Sequence, residues 1–238
     1  MKWLWIRHGE TDMNRQKRYV GHSDVPLNER GQFAAKELAK RWASAKDGAV
    51  RIYSSDLCRC VQTAQPLAQA WGVQIATVSA LRELSFGDWE LFTYEQLMAH
   101  DAKRAARWYD DPLDCAPPNG ESLRQLGERV GSWLRGVLAE LTALRNRHGA
   151  ARLGCGAVDE AFPELIAVVT HGGVIRWFQA AWLAQDPERY WQTAGLLPGE
   201  ALLVEWDGQR WTVPSAEVKT MMEEHDDRGN DTDGSLPD

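Results

Sequence analysis

Two apolar runs far apart in the chain end in the same way. Residues 3–6 lead through Arg7 into His8-Gly9, and residues 165–170 lead into His171-Gly172-Gly173. A short, nearly continuous apolar run that stops at glycine reads as a buried strand. Helical patterns follow both, and strands alternating with helices imply an α/β sheet. In an open sheet of that kind, ligands bind beyond the carboxyl ends of the strands, so both imidazoles are expected in one crevice. A single histidine after a strand is more often a hydrogen-bonded turn residue than a functional one. Two at equivalent positions argue for a site.

The rest of the chain fits this frame. Asn28 is placed to cap a helix running to Ser44, with Phe33, Leu38 and Trp42 near helical spacing. Residues 51–54 read as a second strand, followed by a helix from about Asp56 that Pro66 is expected to kink or end. A third strand is expected over 74–78. Residues 84–121 mix aromatics, Asp, Pro and Gly around a helix from Tyr94 to Trp108, and read as an excursion covering the crevice. Ser122 and Gln125 form a capping box that opens a long helix to about Arg147, and 148–163 has the small and polar residues of a surface loop. After the strand at 165–170, residues 174–183 read as a helix, and Asp207-Gly208 between 201–206 and 209–213 signals a hairpin. No internal repeat is present, and 1–214 is expected to form a single domain.

Charge narrows the partners. The formal charge is −7, and residues 215–238 carry −6 of it, with eight acids against Lys219 and Arg228. That acidic tail is expected to be disordered or loosely helical. The nearly neutral body lacks the basic face that nucleic acid requires. No apolar run approaches the roughly 18 residues of a membrane span, and the opening residues do not resemble a secretory signal, so a cytoplasmic location is expected. Cys58, Cys60, Cys115 and Cys155 show no paired Cys-x-x-Cys spacing, which suits free thiols better than a zinc site.

Arg7 precedes the first histidine, and Arg59 lies near the start of the helix after the second strand, again on the carboxyl side of the sheet. Each alone is explained by a surface ion pair. Together with two imidazoles and helix N-termini they suit a compact dianion such as a phosphoryl group. No Walker loop, dinucleotide fingerprint or magnesium-like carboxylate cluster accompanies them, so neither metal nor cofactor is expected. A neutral imidazole can attack phosphorus, and the departing alkoxide then needs an acid. Glu83, just after the third strand, is placed for this, and a nearby phosphate with apolar neighbours Leu84, Phe86 and Trp89 would favour its protonated form. A solvated glutamate at a strand end is the plainer alternative.

Six ordered blocks of sequence then carry a resemblance. They are Arg7-His8-Gly9-Glu10-Thr11-x-x-Asn14, Gly21-x-x-Asp24-x-Pro26-Leu27, Ser54-Ser55-Asp56-Leu57-x-Arg59-x-x-Gln62-Thr63-Ala64, Leu81-x-Glu83, Phe86-Gly87-x-Trp89-Glu90 and Thr170-His171-Gly172-Gly173. In this order they resemble the histidine phosphatase superfamily, also called phosphoglycerate mutase-like. The resemblance implies a three-layer α/β/α sandwich without metal. It implies that His8 is the phosphorylated nucleophile, that Arg7, Arg59 and His171 bind the phosphoryl group, and that Glu83 is the proton donor. Asn14 and the Gly172 backbone are implied as further phosphate contacts. Residues 117–122, Pro-Pro-Asn-Gly-Glu-Ser, are similar to a stretch of alpha-ribazole phosphatases, which act in cobalamin assembly. Leu91 departs from the pattern, standing where relatives often have glycine.

The expected activity is hydrolysis of a small-molecule phosphate ester through phosphohistidine. A phosphoglycerate mutase is the alternative with the same catalytic residues. It needs extra cations for a substrate carboxylate, for which Lys103, Arg104 and Arg107 are candidates. A catalytically silent binding module on this fold would be expected to have lost His8, Arg59, Glu83 or His171, and all four are present.

Overall fold

A computed structural model of the chain describes residues 1–152 and 161–214. Six strands form one mixed sheet in the order β3-β2-β4-β1-β5-β6. They are β1 (Lys2–Arg7), β2 (Val50–Ser54), β3 (Ile75–Thr77), β4 (Leu165–Thr170), β5 (Ala201–Trp206) and β6 (Trp211–Thr212). The first four run parallel, β5 pairs antiparallel with β1, and β6 pairs antiparallel with β5. In register, Arg7 of β1 lies opposite Thr170 of β4, so the two His-Gly turns leave the sheet at the same level on neighbouring strands.

Side-chain alternation divides the core into two layers. Leu4, Ile6, Ile52, Ala167 and Val169 pack beneath α2 (Glu29–Arg41) and α3 (Cys58–Trp71) through Leu38, Ala39, Ala64 and Leu67. Trp3, Trp5, Ile166, Val168 and Val204 face the other way, against α5 (Leu123–Arg152) and α6 (Gly172–Trp177). The fold is therefore the expected three-layer α/β/α sandwich. Residues 84–121 pass over the second face and include α4 (Tyr94–Asp110), whose Leu97, Ala105 and Trp108 join that core. A four-residue helix, α1 (Asp12–Arg15), follows the first His-Gly turn.

Several local expectations are corrected. Pro66 does not end α3, which runs on to Trp71 and closes on Gly72 in the left-handed conformation. A proline inside a helix costs about 3 kcal/mol. Beyond it, Leu67, Ala68 and Trp71 are buried, and burying side chains of the leucine class gains about 1.5–3 kcal/mol each, enough to carry the helix through. Phe33 is 66% exposed rather than in the core, because the five-position step from it to Leu38 turns it about 140° round the helix. α5 continues through Arg152, so the start of the expected 148–163 loop is helical. The remainder of that stretch to residue 160, Cys155 and the acidic tail lie outside the described residues. The expected 174–183 helix begins at Gly172 and passes at Phe178 into a π-helical turn ending at Leu183. Among the described residues no helix is long and apolar enough to cross a membrane, and Cys58, Cys60 and Cys115 are free thiols.

Candidate active site

The parallel pairing of β1 with β4 sets the site. His8 N–H donates to the Thr170 carbonyl at 2.9 Å, continuing the ladder one residue past the strand. The His8 and His171 rings thus stand 5.2 Å apart between centroids, at 66°. Both are buried. His8 Nδ1 lies 2.8 Å from the Gly9 carbonyl, which can only accept, so the proton is on Nδ1 and Nε2 carries the lone pair. At His171 the guanidinium Nε–H of Arg59 donates to Nδ1 at 3.3 Å, leaving Nε2–H to donate to Ser55 Oγ at 2.9 Å. Burial first, then the charges of Arg59 and Arg7, hold His8 well below the ordinary imidazole range, outweighing the opposing Gly9 hydrogen bond. Burial and Arg59 likewise lower His171, with smaller contributions from His8, Arg129 and Arg7.

Arg59 projects from the first turn of α3 and is fully buried. Its Nη1 donates to Ser23 O at 2.9 Å and its Nη2 to Gly21 O at 2.7 Å. One turn on, Thr63 Oγ accepts from Gly9 N–H at 3.0 Å and donates to Arg59 O at 2.7 Å, tying the first His-Gly turn to the helix.

Arg7 donates from Nη1 to Leu196 O at 2.6 Å and lies along Gly172, where a Cβ would fall 3.2 Å from its Cζ. On the neighbouring residue, Gly173 N–H donates to Glu83 Oε2 at 3.0 Å, while Leu84 N–H donates to Oε1 at 2.9 Å. A Cβ on Gly173 would lie 2.4 Å from Oε1, so glycine is required for that approach. The Gly172-Gly173 pair is thus the seam along which the Arg7 guanidinium and the Glu83 carboxyl approach the turn that follows His171.

Of the residues expected from sequence, His8, His171, Arg7, Arg59, Glu83 and Gly172 come together here. Asn14 does not join them by hydrogen bonds. Its Oδ1 accepts from Thr11 N–H at 3.1 Å and Thr11 Oγ–H at 2.9 Å, forming the cap of α1. Lys103, Arg104 and Arg107 are exposed on α4, with Arg104 3.6 Å from Asp101. Among the described residues no group of His, Cys, Asp and Glu is arranged to hold a metal ion. A cavity of about 720 Å³ lined by Met1, Leu141 and Trp206 lies at the opposite end of β1 and contains none of these side chains.

Residues 3–218 match the histidine phosphatase superfamily (branch 1). The chain belongs to that superfamily. A probable phosphoglycerate mutase of Escherichia coli is 37% identical over 154 residues, covering 63% of this chain and 70% of that protein. Phosphoglycerate mutase-like protein 4 of Arabidopsis thaliana is 33% identical over 213 residues, 87% of this chain and 81% of its own. Among solved structures, the alpha-ribazole phosphatase of Shigella flexneri aligns with a TM-score of 0.72 at 25% identity, over 90% of this chain and 95% of that one. A mycobacterial glucosyl-3-phosphoglycerate phosphatase aligns with a TM-score of 0.69 at 29% identity, over 89% and 96%.

Three neighbours of the histidine phosphatase site carried no distinguishing signal in the sequence. Glu90 sits in a motif block, but nothing in the block says which groups it meets. Arg129 is one of many basic residues on a long helix. Tyr190 lies in a stretch without motif, yet it is buried, and its hydroxyl would be 3.1 Å from a Cβ on Gly173, beside Glu83. The Arg176 guanidinium stacks 5.5 Å above its ring and holds it there.

Proposed function

We propose that this protein is a phosphomonoesterase that hydrolyses a small-molecule phosphate ester through a phosphohistidine on His8. The observation that carries the reading is the 2.8 Å contact of His8 Nδ1 with the Gly9 carbonyl, which commits the proton to Nδ1 and leaves the lone pair on Nε2. In the first step Nε2 attacks phosphorus in line with the ester oxygen. Arg7 and Arg59, with the Gly172 backbone and Asn14, hold the phosphoryl oxygens, His171 joins them as its Nε2–H turns from Ser55 Oγ to a phosphoryl oxygen, and Glu83 protonates the departing alkoxide, so the alcohol leaves neutral. In the second step the Glu83 carboxylate takes a proton from water, the hydroxide attacks phosphorus, and the bond to Nε2 breaks to release inorganic phosphate. The proposed reaction calls for neither metal nor cofactor, since the guanidiniums of Arg7 and Arg59 supply the positive field.

Hydrolysis is favoured over a mutase reaction because the cations available for a substrate carboxylate, Lys103, Arg104 and Arg107, are exposed, and Arg104 already faces Asp101. The reading takes 1–214 as one catalytic unit, with 84–121 over the leaving-group side, working in the cytoplasm. Alpha-ribazole phosphate and glucosyl-3-phosphoglycerate, named by two structural relatives, head the esters to assay, with 3-phosphoglycerate as the mutase control. Rapid quenching with substrate labelled in the phosphoryl group should trap an alkali-stable, acid-labile label on wild type and none on His8→Ala. A label persisting in His8→Ala, or isomerisation of 3-phosphoglycerate outpacing phosphate release, would overturn the proposal.

A further inference from the structure

Glu90 follows a single 3₁₀ turn, Gly87–Trp89, and has no part in the proposed chemistry. Its carboxylate nevertheless accepts four backbone N–H groups. Oε2 takes those of Gly21 and Ser23, each at 3.1 Å, and Oε1 takes those of His22 at 2.9 Å and Phe86 at 3.1 Å. Three consecutive N–H groups converging on one anion is how backbone turns bind negative charge. The carbonyls of Gly21 and Ser23 receive the two terminal nitrogens of Arg59, at 2.7 and 2.9 Å. One short turn is therefore gripped by a carboxylate through its donors and by a guanidinium through its acceptors. The turn cannot shift freely, because a Cβ on Gly21 would lie 2.1 Å from Leu84 O and 2.3 Å from Glu90 Oε1.

We infer that Glu90 is a positioning residue for phosphoryl binding, setting the place of the Arg59 guanidinium through residues 21–23. The inference rests on the reading of Arg59 as a phosphoryl ligand. A charged acceptor shared by four N–H groups holds that turn more firmly than neutral bonds would. Arg59, with two of its nitrogens committed to the turn, moves when the turn moves.

The test is a double-mutant cycle between Glu90→Gln and Arg59→Ala, read by kcat/KM for p-nitrophenyl phosphate and by the inhibition constant of inorganic phosphate. Glutamine keeps the shape of the side chain but replaces one acceptor oxygen with an amide NH₂. The expected result is a drop in kcat/KM of about 10- to 100-fold in the wild-type background, with a parallel weakening of phosphate inhibition. In the Arg59→Ala background the same change should cost less than about threefold. Equal losses in both backgrounds would make Glu90 a structural brace and overturn the inference. If Arg59→Ala alone leaves rate and inhibition unchanged, the role proposed for Arg59 fails first and takes the inference with it. Gly21→Ala keeps the Glu90 carboxylate charged but presses the turn against Leu84 O and Glu90 Oε1, displacing it by sterics rather than by loss of an acceptor, and should show the same dependence on Arg59. Should Glu90→Gln not fold, that second cycle decides the matter.

Discussion

Arg129 reaches from α5 to donate to the backbone carbonyl of Glu83 at 2.7 Å. The same guanidinium donates to Ala80 O at 2.9 Å and Arg82 O at 2.8 Å, so one side chain gathers the backbone that leads into Glu83. Glu121 grips it from the far side in a two-pronged pair, at 2.8 and 2.9 Å, and also accepts Ser85 N–H at 3.0 Å. Burial pushes the Glu121 carboxyl up, but Arg129 and Ser85 N–H outweigh it and hold the group below the usual carboxylate range. The glutamate of the Pro-Pro-Asn-Gly-Glu-Ser stretch is thus joined to the backbone of Glu83 through one arginine.

Removing that arginine should be costly. Arg129→Ala strands a partly buried carboxylate and three carbonyls, and breaking such a pair costs about 2–4 kcal/mol where some solvent remains. Urea melts of the variant and wild type measure the difference. A loss below about 1 kcal/mol would show that the clamp contributes little.

Glu83 is expected to matter in proportion to the leaving group's need for a proton. Glu83→Gln should slow an alkyl phosphate by about a hundred- to ten-thousand-fold, while sparing p-nitrophenyl phosphate by at least about tenfold relative to it. Arg59→Ala should slow both alike, since they share the phosphoryl group. The comparison requires phosphorylation of His8 to be rate-limiting, which a burst measurement checks. Equal losses for the two substrates in Glu83→Gln would move the proton donor elsewhere.

The buried imidazoles make stability depend on pH in a defined sense. His8 and His171 are both lowered in the folded state, whereas an unfolded histidine titrates near about 6.5. Below that pH the unfolded chain binds more protons, so the contribution is complete above it and is lost as pH falls toward the folded values. Each histidine adds a slope of up to about 1.4 kcal/mol per pH unit in that window. A His8→Asn, His171→Asn double variant should show a visibly flatter decline between pH 6.5 and 5. Identical slopes would mean that the two rings are protonated in the native protein.

Leu91 occupies the left-handed region, with φ of 64°. Its backbone is fixed there by N–H donation to Tyr19 O at 2.8 Å and by its carbonyl accepting from Arg18 Nη1 at 2.6 Å. The loop therefore keeps a glycine-like turn although the residue is leucine. Leu91→Gly should be more stable than Leu91→Ala by about 1 kcal/mol, reversing the usual order of these residues, because both lose the side chain and only alanine keeps the strain. Paired thermal melts would check it, and alanine proving the more stable would refute it.

What could be read beforehand followed from local physics. The run at residues 165–170 had to be a buried strand, and His171 after it had to emerge at the carboxyl edge, whatever the rest of the chain did. The Ser122–Gln125 capping box, likewise local, forms as expected, with Ser122 N–H donating to Gln125 Oε1 at 2.8 Å. Pro66 misled because its local cost was visible while the burial of Trp71 that offsets it was not. Glu90 and Arg129 were illegible for a related reason. Apart from Phe86 N–H and the Glu121 carboxylate, their partners are backbone groups 46–69 residues away in sequence, which no spacing encodes. Asn14 shows the converse, a residue whose motif was clear but whose carbonyl is spent on its own helix cap.

His8 and His171 follow strands built on one plan, yet they are not interchangeable. A carbonyl beside the first ring and a guanidinium beside the second drive them into opposite tautomers. In the proposed reaction a phosphoryl group arriving between them therefore has one destination, because an electron pair is available on one ring while both nitrogens of the other are already engaged. The division of labour is decided by Gly9 O, Arg59 and Ser55. Two histidines in matching strand-end motifs thus amount to a single nucleophile, and the choice between them is made by neighbours rather than by the imidazoles themselves.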